Sequence, residues 1–452
     1  MNHLDPLLGA LRRCCESFPD PRRGSNGTYK IADLGMAAFS VFFMQSPSFL
    51  AHQRRLQEGH GRSNCATLFG LKKIPSDNHI RTMLDPAAPA LLDPVFAEVL
   101  TQLERSGGLQ AFRRLDDHVL IALDGSEYFC SGKIACAHCS TRRRSNGRVE
   151  CFHTMLAATL VAPGHNHVVP LPPEFIVPQD GSDKQDCESR AARRWLVAHG
   201  SQYARLKPVY LGDDLFANQP MCEAVLAVGG HFLFTCKPAS HPLIQEYITG
   251  VELPSHSVRI KRGRTWVTHR FRWLTDVPLR DGRDALKVNW FEIEICNAAG
   301  EVTYRNSFIT DLPVTRDTVA EQAACGRARW KIENETFNVL KNNGYNLEHS
   351  FGHGKQHLAT LLVTLNLLAF ACHTICDHGE EWWRLARSKV SSRAQFFGNL
   401  VAITSYLIFS SWDELMQTLA FARPPPHLSL ASPSPFVPPP AKEPGPTAKK
   451  SK

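Results

Sequence analysis

The sequence predicts an α/β fold in which a mixed β-sheet is flanked by helices, with an antiparallel β insertion and a helical N-terminal region. From His118 onward the segments are ordered as three strands, helix, strand, helix and strand, which is typical of a mixed sheet covered by helices. Polar and apolar residues alternate over 243–312, which indicates antiparallel strands. Residues 1–112 carry helical patterns and few strand signals.

The composition is that of a globular protein with a basic surface. The 452 residues are 43% hydrophobic and 21% charged, and the formal charge of +8 favours a polyanionic partner. Many proteins with neutral partners are equally basic. The N-terminus lacks the pattern of a signal peptide, so the 14 cysteines are expected to be reduced thiols in a cytosol. The apolar run 358–372 is too short and too polar for a membrane span and predicts a buried helix.

The N-terminal region is predicted to be helical. A short helix is also expected over 75–84, with Ser76 and Asp77 as candidate N-caps. Basic residues follow these caps. The pattern is therefore compatible both with a module that enters a DNA groove and with a helical region that has no role in DNA binding. The other predicted helices are 31–44, 49–56 and 91–104.

Two aspartates close predicted strands of the sheet. The run HVLIALDG ends on Asp124 and Gly125, and VYLGD ends on Asp213. Because sites gather at the carboxyl ends of parallel strands, the two carboxylates are expected to lie close together. Each aspartate alone is more typical of a turn, and Asp214 is the alternative to Asp213. The remaining predicted core elements are strands 151–162, 167–177 and 231–237 and helices 186–204 and 218–228.

The stretch RARWKIENETFNVLK, 327–341, predicts a helix with an acid on its packed face. At 100° per residue, Phe337 lies within about 20° of Trp330, and Glu333 lies about 60° to one side. A carboxylate on a packed face requires a partner. An ion pair with Arg329, one turn earlier, is one explanation.

A shared cation is the other explanation for Glu333. Three ionised carboxylates from Asp124, Asp213 and Glu333 would repel one another unless positive charge lay among them. Hard oxygen ligands favour Mg²⁺ or Mn²⁺, and two such ions about 4 Å apart promote phosphoryl transfer. Glu335 is the less suitable acid because it points roughly opposite to Trp330.

These motifs resemble those of the DDE transposases of bacterial insertion sequences, specifically the cut-and-paste group with a ribonuclease H-like core and a β insertion before the third acid. ALDGS around Asp124, VYLGDDLF around Asp213 and RARWKIENETFNVLK around Glu333 look like the three acidic motifs of that family. The resemblance covers about residues 115–375.

The third motif is the most specific. Arg329 precedes Glu333 by four residues and a lysine follows, as in the signature helix of the family. The sequence departs from the pattern at two points: Gly326 replaces a usual tyrosine, and Lys341 lies one position later than is commonest.

The resemblance implies Mg²⁺- or Mn²⁺-dependent DNA cleavage at the ends of a mobile element and strand transfer into target DNA. The three acids would bind two ions, and the freed 3′-hydroxyl would attack the opposite strand or the target. It also implies double-stranded DNA as partner, both terminal inverted repeats and target, a homodimer on two ends, no membrane, and a place in the bacterial cytoplasm on the nucleoid. The alternatives are a metal-dependent nuclease of the same fold and a transposase-derived DNA-binding protein without activity.

Basic and aromatic residues are the candidate DNA contacts. In the insertion segment RIKRGRTWVTHRFRW, the basic residues could follow the DNA phosphates, and a tryptophan could stack on an extruded base. Trp273 is the choice, with Trp266 and Trp290 open. The alternative is that the basic residues only keep exposed helix and strand faces soluble, with the tryptophans buried beneath. The candidates are Arg327, Arg329, Lys331, Lys341 and Trp273.

A cysteine cluster is expected to consist of free thiols, with a tetrahedral zinc site as the alternative. Cys136 and Cys139 form CAHC, with Cys130 before them and Cys151 and His153 after. The candidate ligands are therefore Cys130, Cys136, Cys139 and Cys151, with a histidine as a further choice. The basic loop STRRRSNGR that follows CAHC fits either a DNA contact or an exposed turn.

The predicted organisation has a helical DNA-end-binding domain, a ribonuclease H-like core in two parts separated by the β insertion, a C-terminal helical segment and a disordered tail rich in Pro and Lys. The DNA-end-binding domain is 1–112, the two parts of the core are 113–242 and 313–395, and the β insertion is 243–312. The C-terminal helical segment is 396–423 and the tail is 424–452.

Overall fold

The computed structural model describes residues 2–22, 28–58, 60–178 and 186–421, and these residues form a mixed β-sheet with helices around it. The predicted α/β class is confirmed by this sheet. The predicted tail, 424–452, lies outside the described residues.

The strands are β1 (Arg113–Arg114), β2 (His118–Ser131), β3 (Ser140–Arg143), β4 (Val149–Val161), β5 (Val169–Pro170), β6 (Glu174–Ile176), β7 (Pro208–Gly212), β8 (His231–Thr235), β9 (Ser255–Arg262), β10 (Thr265–Pro278), β11 (Lys287–Cys296) and β12 (Val302–Thr310). The helices are α1 (Leu4–Glu16), α2 (Ile31–Phe43), α3 (Phe49–Gln57), α4 (Gly61–Phe69), α5 (Asp77–Leu84), α6 (Asp93–Arg105), α7 (Glu188–Trp195), α8 (Ser201–Tyr203), α9 (Gln219–Ala227), α10 (Pro242–Ile248), α11 (Val319–Arg327), α12 (Asn338–Asn342), α13 (Leu358–Gly379), α14 (Glu381–Ser388), α15 (Arg393–Tyr406) and α16 (Trp412–Phe421). Single π-helical turns lie at Leu196–Gly200 and Ile332–Phe337.

The sheet runs in the order β3-β4-β2-β7-β8-β12-β11-β10-β9, with β1 paired to β2, and β5 and β6 paired to β4. Strands β2, β7 and β8 are parallel neighbours. The order of strands and helices along the chain follows the prediction. The predicted strand 167–177 is divided into β5 and β6, because Pro172 and Pro173 lie between them and have no N–H to donate to a ladder.

The parallel register of β2 and β7 determines where the two aspartates lie. Ala122 and Leu211 form the last parallel pair, and Asp124 and Asp213 each lie two residues beyond it. The prediction that the first strand ends at Asp124 was wrong. Strand β2 continues to Ser131, because beyond this point it stays paired to β4 on its other side. Asp124 therefore lies where β2 parts from β7.

The predicted β insertion consists of β9 to β12, which pair in antiparallel fashion. Strand β12 also pairs with β8, so the insertion extends the core sheet. Along β10 the side chains alternate as a pleated strand requires: Phe271 and Trp273 are buried, whereas Arg270 and Arg272 are exposed.

The N-terminal helices pack against the long apolar helix of the core. Helix α13 contacts α2 and α6. Its length and composition would allow a membrane span, yet 89% of its most apolar window is buried inside the protein, as expected of a core helix. Ser76 caps the N-terminus of α5, as predicted: its hydroxyl accepts the His79 N–H at 3.3 Å. Arg81 of α5 donates to the Phe351 carbonyl at 2.9 Å, which ties α5 to the loop before α13.

Gly326 lets α11 lie close to the insertion. A Cβ at this position would lie 2.7 Å from the ring of Phe308 in β12. A tyrosine, usual at this position in the family that the sequence resembles, would therefore not fit in place of Gly326.

We expect Gly326→Ala to lower the free energy of unfolding by about 1–3 kcal/mol, because the new methyl group meets the Phe308 ring. Gly398 in α15 is the matched control, since a methyl group added there would have no described atom beyond the helix backbone within 4 Å. Gly398→Ala should raise stability by about 0.5–1 kcal/mol. Thermal unfolding followed by circular dichroism measures both, and equal shifts in the two variants would contradict the packing argument.

Candidate active site

Asp124 and Glu333 meet through one guanidinium group. Arg329 Nη1 lies 3.1 Å from Asp124 Oδ2, and Nη2 lies 2.7 Å from Glu333 Oε1. Asp124 and Arg329 are 205 residues apart in sequence, so this contact fixes the segment after α11 against the sheet. The predicted ion pair between Arg329 and Glu333 is present, and it includes Asp124 as well.

Asp213 faces the same group of charges. Its carboxylate interacts electrostatically with Arg329. Burial raises the pKa of Glu188, and the nearby Asp213 raises it further. Because Asp124 and Asp213 follow the same parallel pair of strands, both carboxylates lie at the edge where those strands part.

Asp214 points to a different part of the chain. Its carboxylate accepts the Lys237 N–H at 2.6 Å, contacts the Ser240 hydroxyl, and lies 3.4 Å from His241 Nε2. These contacts hold the turn after β7 against the segment after β8. Asp213 is therefore the better candidate of the two, as the sequence indicated.

Glu188 is a fourth carboxylate at this site, and the sequence patterns did not single it out. It is the first residue of α7 and lies directly over Gly125, where an added Cβ would come within 2.1 Å of Oε1. An acid in the first turn of a helix is common because it complements the helix dipole. No local signal therefore distinguished Glu188, and only the packing of α7 on β2 places it beside Asp124.

The segment that carries Glu333 is a π-helical turn, Ile332–Phe337. Ile332 and Thr336 are buried, whereas Trp330 is 45% exposed and the Glu333 side chain is 49% exposed. The prediction that Trp330 marks the packed face and that Glu333 lies on it was wrong, because the segment is not one regular α-helix: α11 ends at Arg327, and a π turn with more than 3.6 residues per turn follows at Ile332–Phe337. Single π turns occur frequently at functional sites.

The choice of Glu333 over Glu335 agrees with the geometry. Glu333 contacts Arg329, whereas the carboxylate of Glu335 interacts electrostatically with His167. The two acids therefore face different surroundings.

Negative charge exceeds positive charge in this cluster. Burial raises the pKa of Asp124 to about 7; Arg329 opposes this shift, and Glu333 and Glu188 add to it. Three carboxylates, those of Asp124, Glu333 and Asp213, thus act on the Arg329 guanidinium, and Glu188 adds a fourth negative charge near Asp124 and Asp213. Carboxylate oxygens are the donors that Mg²⁺ or Mn²⁺ prefers, so the chemistry of these residues fits a divalent cation. Among the described residues, however, no three of these acids bring their ligand atoms within 4.8 Å of one another, so the acids would have to move closer to share an ion.

The helix residues predicted to contact DNA have partners within the protein. Arg329 pairs with acids as described, and Lys341 Nζ lies 2.8 Å from Glu348. Arg327 stacks on Tyr304 at 4.8 Å. Lys331 is only 5% exposed, so its predicted role in DNA binding needs correction: its stem is packed in the core and its ammonium group lies 5.0 Å from the adjacent Trp330 ring.

The structure also corrects the choice of tryptophan. Trp273 is 8% exposed and Trp290 is buried, so neither presents a ring to a base. Trp266 is 43% exposed, with the Arg259 guanidinium 5.1 Å from its ring. Trp266 and Trp273 are an odd number of residues apart on one strand, so they lie on opposite faces of the sheet, and this spacing was the available signal.

The predicted set of zinc ligands is only half correct in its geometry. Cys130 is exposed and its sulfur lies 3.5 Å from Glu150, away from the CAHC cysteines. Cys151 lies opposite Ser131 in the ladder and is not part of the cluster either. Two histidines take their places. Cys136, Cys139, His153 and His353 bring their ligand atoms within 4.8 Å of one another.

The basic loop after CAHC contains strand β3, which the sequence did not predict. Arg142 of this strand pairs with Glu127 at 2.6 Å and with Glu150 at 3.0 Å. Part of the predicted basic surface is therefore neutralised within the sheet.

Comparisons with known proteins give little similarity. No protein-family model and no curated protein sequence matches the chain. Among solved structures, the chain is similar to a piggyBac transposase determined by cryo-EM in a synaptic complex with hairpin DNA, with a TM-score of 0.37 and 10% identity over 89% of this chain and 77% of that one. A similarity of this size supports no conclusion about function, which therefore depends on the geometry of the site.

The raised pKa of Asp124 predicts how stability depends on pH. The folded protein binds this proton more tightly than the unfolded chain, in which the carboxyl group has its ordinary pKa of 3.8, so the free energy of unfolding falls as pH rises from about 4 to about 7. Asp124→Asn mimics the protonated side chain and removes this loss. Without divalent cations, the variant should match the wild type near pH 4 and exceed its stability above pH 7, by at most about 4 kcal/mol.

Thermal unfolding measured across this pH range tests the prediction. Titrating groups that do not interact with Asp124 cancel in the difference between the two proteins. A difference that stays constant from pH 4 to pH 8 would show that Asp124 titrates normally.

Proposed function

We propose that the chain is a DDE-type DNA transposase, which cuts DNA at the ends of a mobile element and joins those ends to target DNA with the help of Mg²⁺. The observation that carries the proposal is the placement of Asp124 and Glu333 on either side of Arg329, with Asp213 at the same edge of the sheet and within electrostatic range of that guanidinium. The succession of three antiparallel segments followed by two parallel strands, β7 and β8, supports the ribonuclease H-like core that the resemblance implies.

The three acids would hold the metal ions. When bound, two divalent ions activate a water or hydroxyl nucleophile and stabilise the leaving oxygen of the phosphodiester. The nucleophiles are water and then the freed 3′-hydroxyl, so the protein supplies no covalent nucleophile. The chain instead supplies Asp124, Asp213 and Glu333 as oxygen ligands, with Glu188 adding negative charge behind Gly125.

Arg329 has two partners in this proposal. In the free protein it neutralises Asp124 and Glu333. With cations held by the acids, the Arg329 guanidinium would be free to bind a DNA phosphate through charge-assisted hydrogen bonds. The residue therefore keeps the acids together before the substrate and its ions arrive.

The β9–β10 hairpin is the proposed contact for the DNA near the cleaved end. Its strand β9 is exposed at the edge of the sheet and carries Arg259, Lys261 and Arg262. Trp266 is exposed beside them. At the other end of this hairpin, Arg272 of β10 pairs with Glu292, so the uncompensated positive charge lies toward the turn between β9 and β10.

The remaining partners follow from the same proposal. The N-terminal helices would bind the terminal inverted repeats, and two copies of the chain would hold two ends in a dimer. The protein would act on the nucleoid in the bacterial cytoplasm.

We expect Asp124→Asn, Asp213→Asn and Glu333→Gln each to reduce DNA cleavage about a thousandfold or more, because each removes a charged metal ligand. Asp214→Asn and Glu335→Gln are matched controls, since each lies within two residues of a proposed ligand but has different contacts. The assay uses the purified chain, Mg²⁺ and DNA carrying the inverted repeats that flank its gene. Cleavage that survives in the first three variants would refute the site.

The same assay separates the alternatives. Cleaved ends joined to target DNA support a transposase. Cleavage without joined product indicates a nuclease of the same fold, and binding without cleavage indicates a transposase-derived DNA-binding protein.

We expect Trp266→Ala to weaken binding to cleaved element ends about tenfold, because one base stacked on an aromatic ring contributes about 1–3 kcal/mol. Trp273→Phe should leave affinity unchanged, since Trp273 is buried in the sheet. Fluorescence anisotropy at one fixed salt concentration measures both dissociation constants. Equal affinity of wild type and Trp266→Ala would exclude a stacking role.

A further inference from the structure

Two thiols and two imidazoles meet away from the candidate active site. Cys136 and Cys139 lie in the turn between β2 and β3, His153 lies in β4, and His353 lies in the loop before α13. His353 is 214 residues from Cys139 in sequence. Three separate segments of the chain therefore direct metal-ligating atoms to one point.

The distances in this cluster match the edges of a zinc tetrahedron. With Zn–S about 2.3 Å and Zn–N about 2.0–2.1 Å, tetrahedral geometry requires S···S edges of about 3.8 Å and S···N edges of about 3.6 Å. The Sγ atoms of Cys136 and Cys139 lie 3.8 Å apart. His153 Nε2 lies 3.5 Å and 3.4 Å from these sulfurs, and His353 Nε2 lies 3.7 Å from Cys139 Sγ.

The surroundings hold the four side chains in place. The backbone N–H of Cys136 donates to Cys139 Sγ at 3.4 Å, which orients that sulfur. The His153 ring stacks on Tyr128 at 5.7 Å between ring centroids, and the His353 ring packs against Phe129 at 4.5 Å. A disulfide does not explain the pair of cysteines, because their sulfurs are far beyond the S–S bond length of about 2.05 Å.

We propose that Cys136, Cys139, His153 and His353 bind one structural Zn²⁺ ion. Two thiolates and two imidazoles complete a four-coordinate Cys₂His₂ shell, which leaves no open position for a substrate and is typical of structural zinc. The cysteines lose their protons when the metal binds, so binding releases protons and stabilises the folded loop.

The metal would tie together the two segments that carry the catalytic acids. Strand β2 contains Asp124 and leads to the cysteines, whereas the acid-bearing turn leads through α12 to the loop with His353. The same loop is held from the N-terminal side, where Asp85 accepts the backbone N–H groups of Lys355, Gln356 and Leu358. Zinc would fix this loop to the sheet at a point independent of Arg329.

The test measures metal content by mass spectrometry on full-length protein purified after expression with added zinc. The wild type should retain about one Zn²⁺ per chain. Cys136→Ser, Cys139→Ser and His353→Gln should each lose most of it. Cys130→Ser and Cys151→Ser are matched controls from the same stretch and should retain it. A wild type without zinc, or controls that lose as much zinc as the ligand variants, would overturn the proposal.

Cobalt substitution of the wild type keeps the test independent of how the variants fold. Co²⁺ bound at this site should give an intense thiolate-to-cobalt charge-transfer band and the strong d–d absorption of a tetrahedral ion. Another group of imidazoles, His165, His167 and His378, contains no thiolate, so cobalt bound there gives no sulfur band. Absence of the sulfur band in cobalt-loaded protein would overturn the assignment.

The zinc site also predicts a stability effect. A strong chelator should lower the midpoint of thermal unfolding of the wild type, and should leave His353→Gln unchanged. These readouts do not depend on DNA cleavage, so they can fail or succeed separately from the proposed function.

Discussion

The contact on which the site depends is the Arg329 guanidinium held between Asp124 and Glu333. It joins the central strand of the sheet to the acid-bearing π turn, which come from distant parts of the chain. Burial raises the pKa of Asp124, and repulsion from the carboxylates of Glu333 and Glu188 raises it further. One guanidinium offsets only part of that charge. The cluster is therefore assembled in the free protein but remains deficient in positive charge, which is the state expected of a site that awaits a divalent cation.

Two features of the fold bring the acids together. The parallel register of β2 and β7 brings Asp124 and Asp213 to the same edge of the sheet, each two residues beyond the last paired residues. Glu333 depends on longer connections. The insertion returns to the core through β12, and Gly326 of α11 packs against Phe308 of that strand. The helix that leads to Arg329 is thus seated on the insertion, which makes the insertion part of the support of the site as well as the proposed surface for DNA.

Sequence patterns predicted the features that are local. Asp213 could be chosen over Asp214 because a buried strand and an aromatic residue on either side define its position. Glu188 and His353 could not be found, because their neighbours are determined by packing between segments far apart in sequence. The π turn could not be predicted either, because one extra residue in a turn does not produce a recognisable change in the spacing of apolar residues. The error over Trp273 had a different origin, because the alternation of a strand already placed it on the face opposite Trp266.

The most direct test of the central claim is a crystal structure of the chain soaked with Mn²⁺, in which anomalous scattering locates the ion. We expect Mn²⁺ to be bound by carboxylate oxygens of Asp124, Asp213 and Glu333, with the Arg329 guanidinium displaced from them. An ion bound elsewhere, or an Arg329 that stays between Asp124 and Glu333 at saturating Mn²⁺, would contradict it.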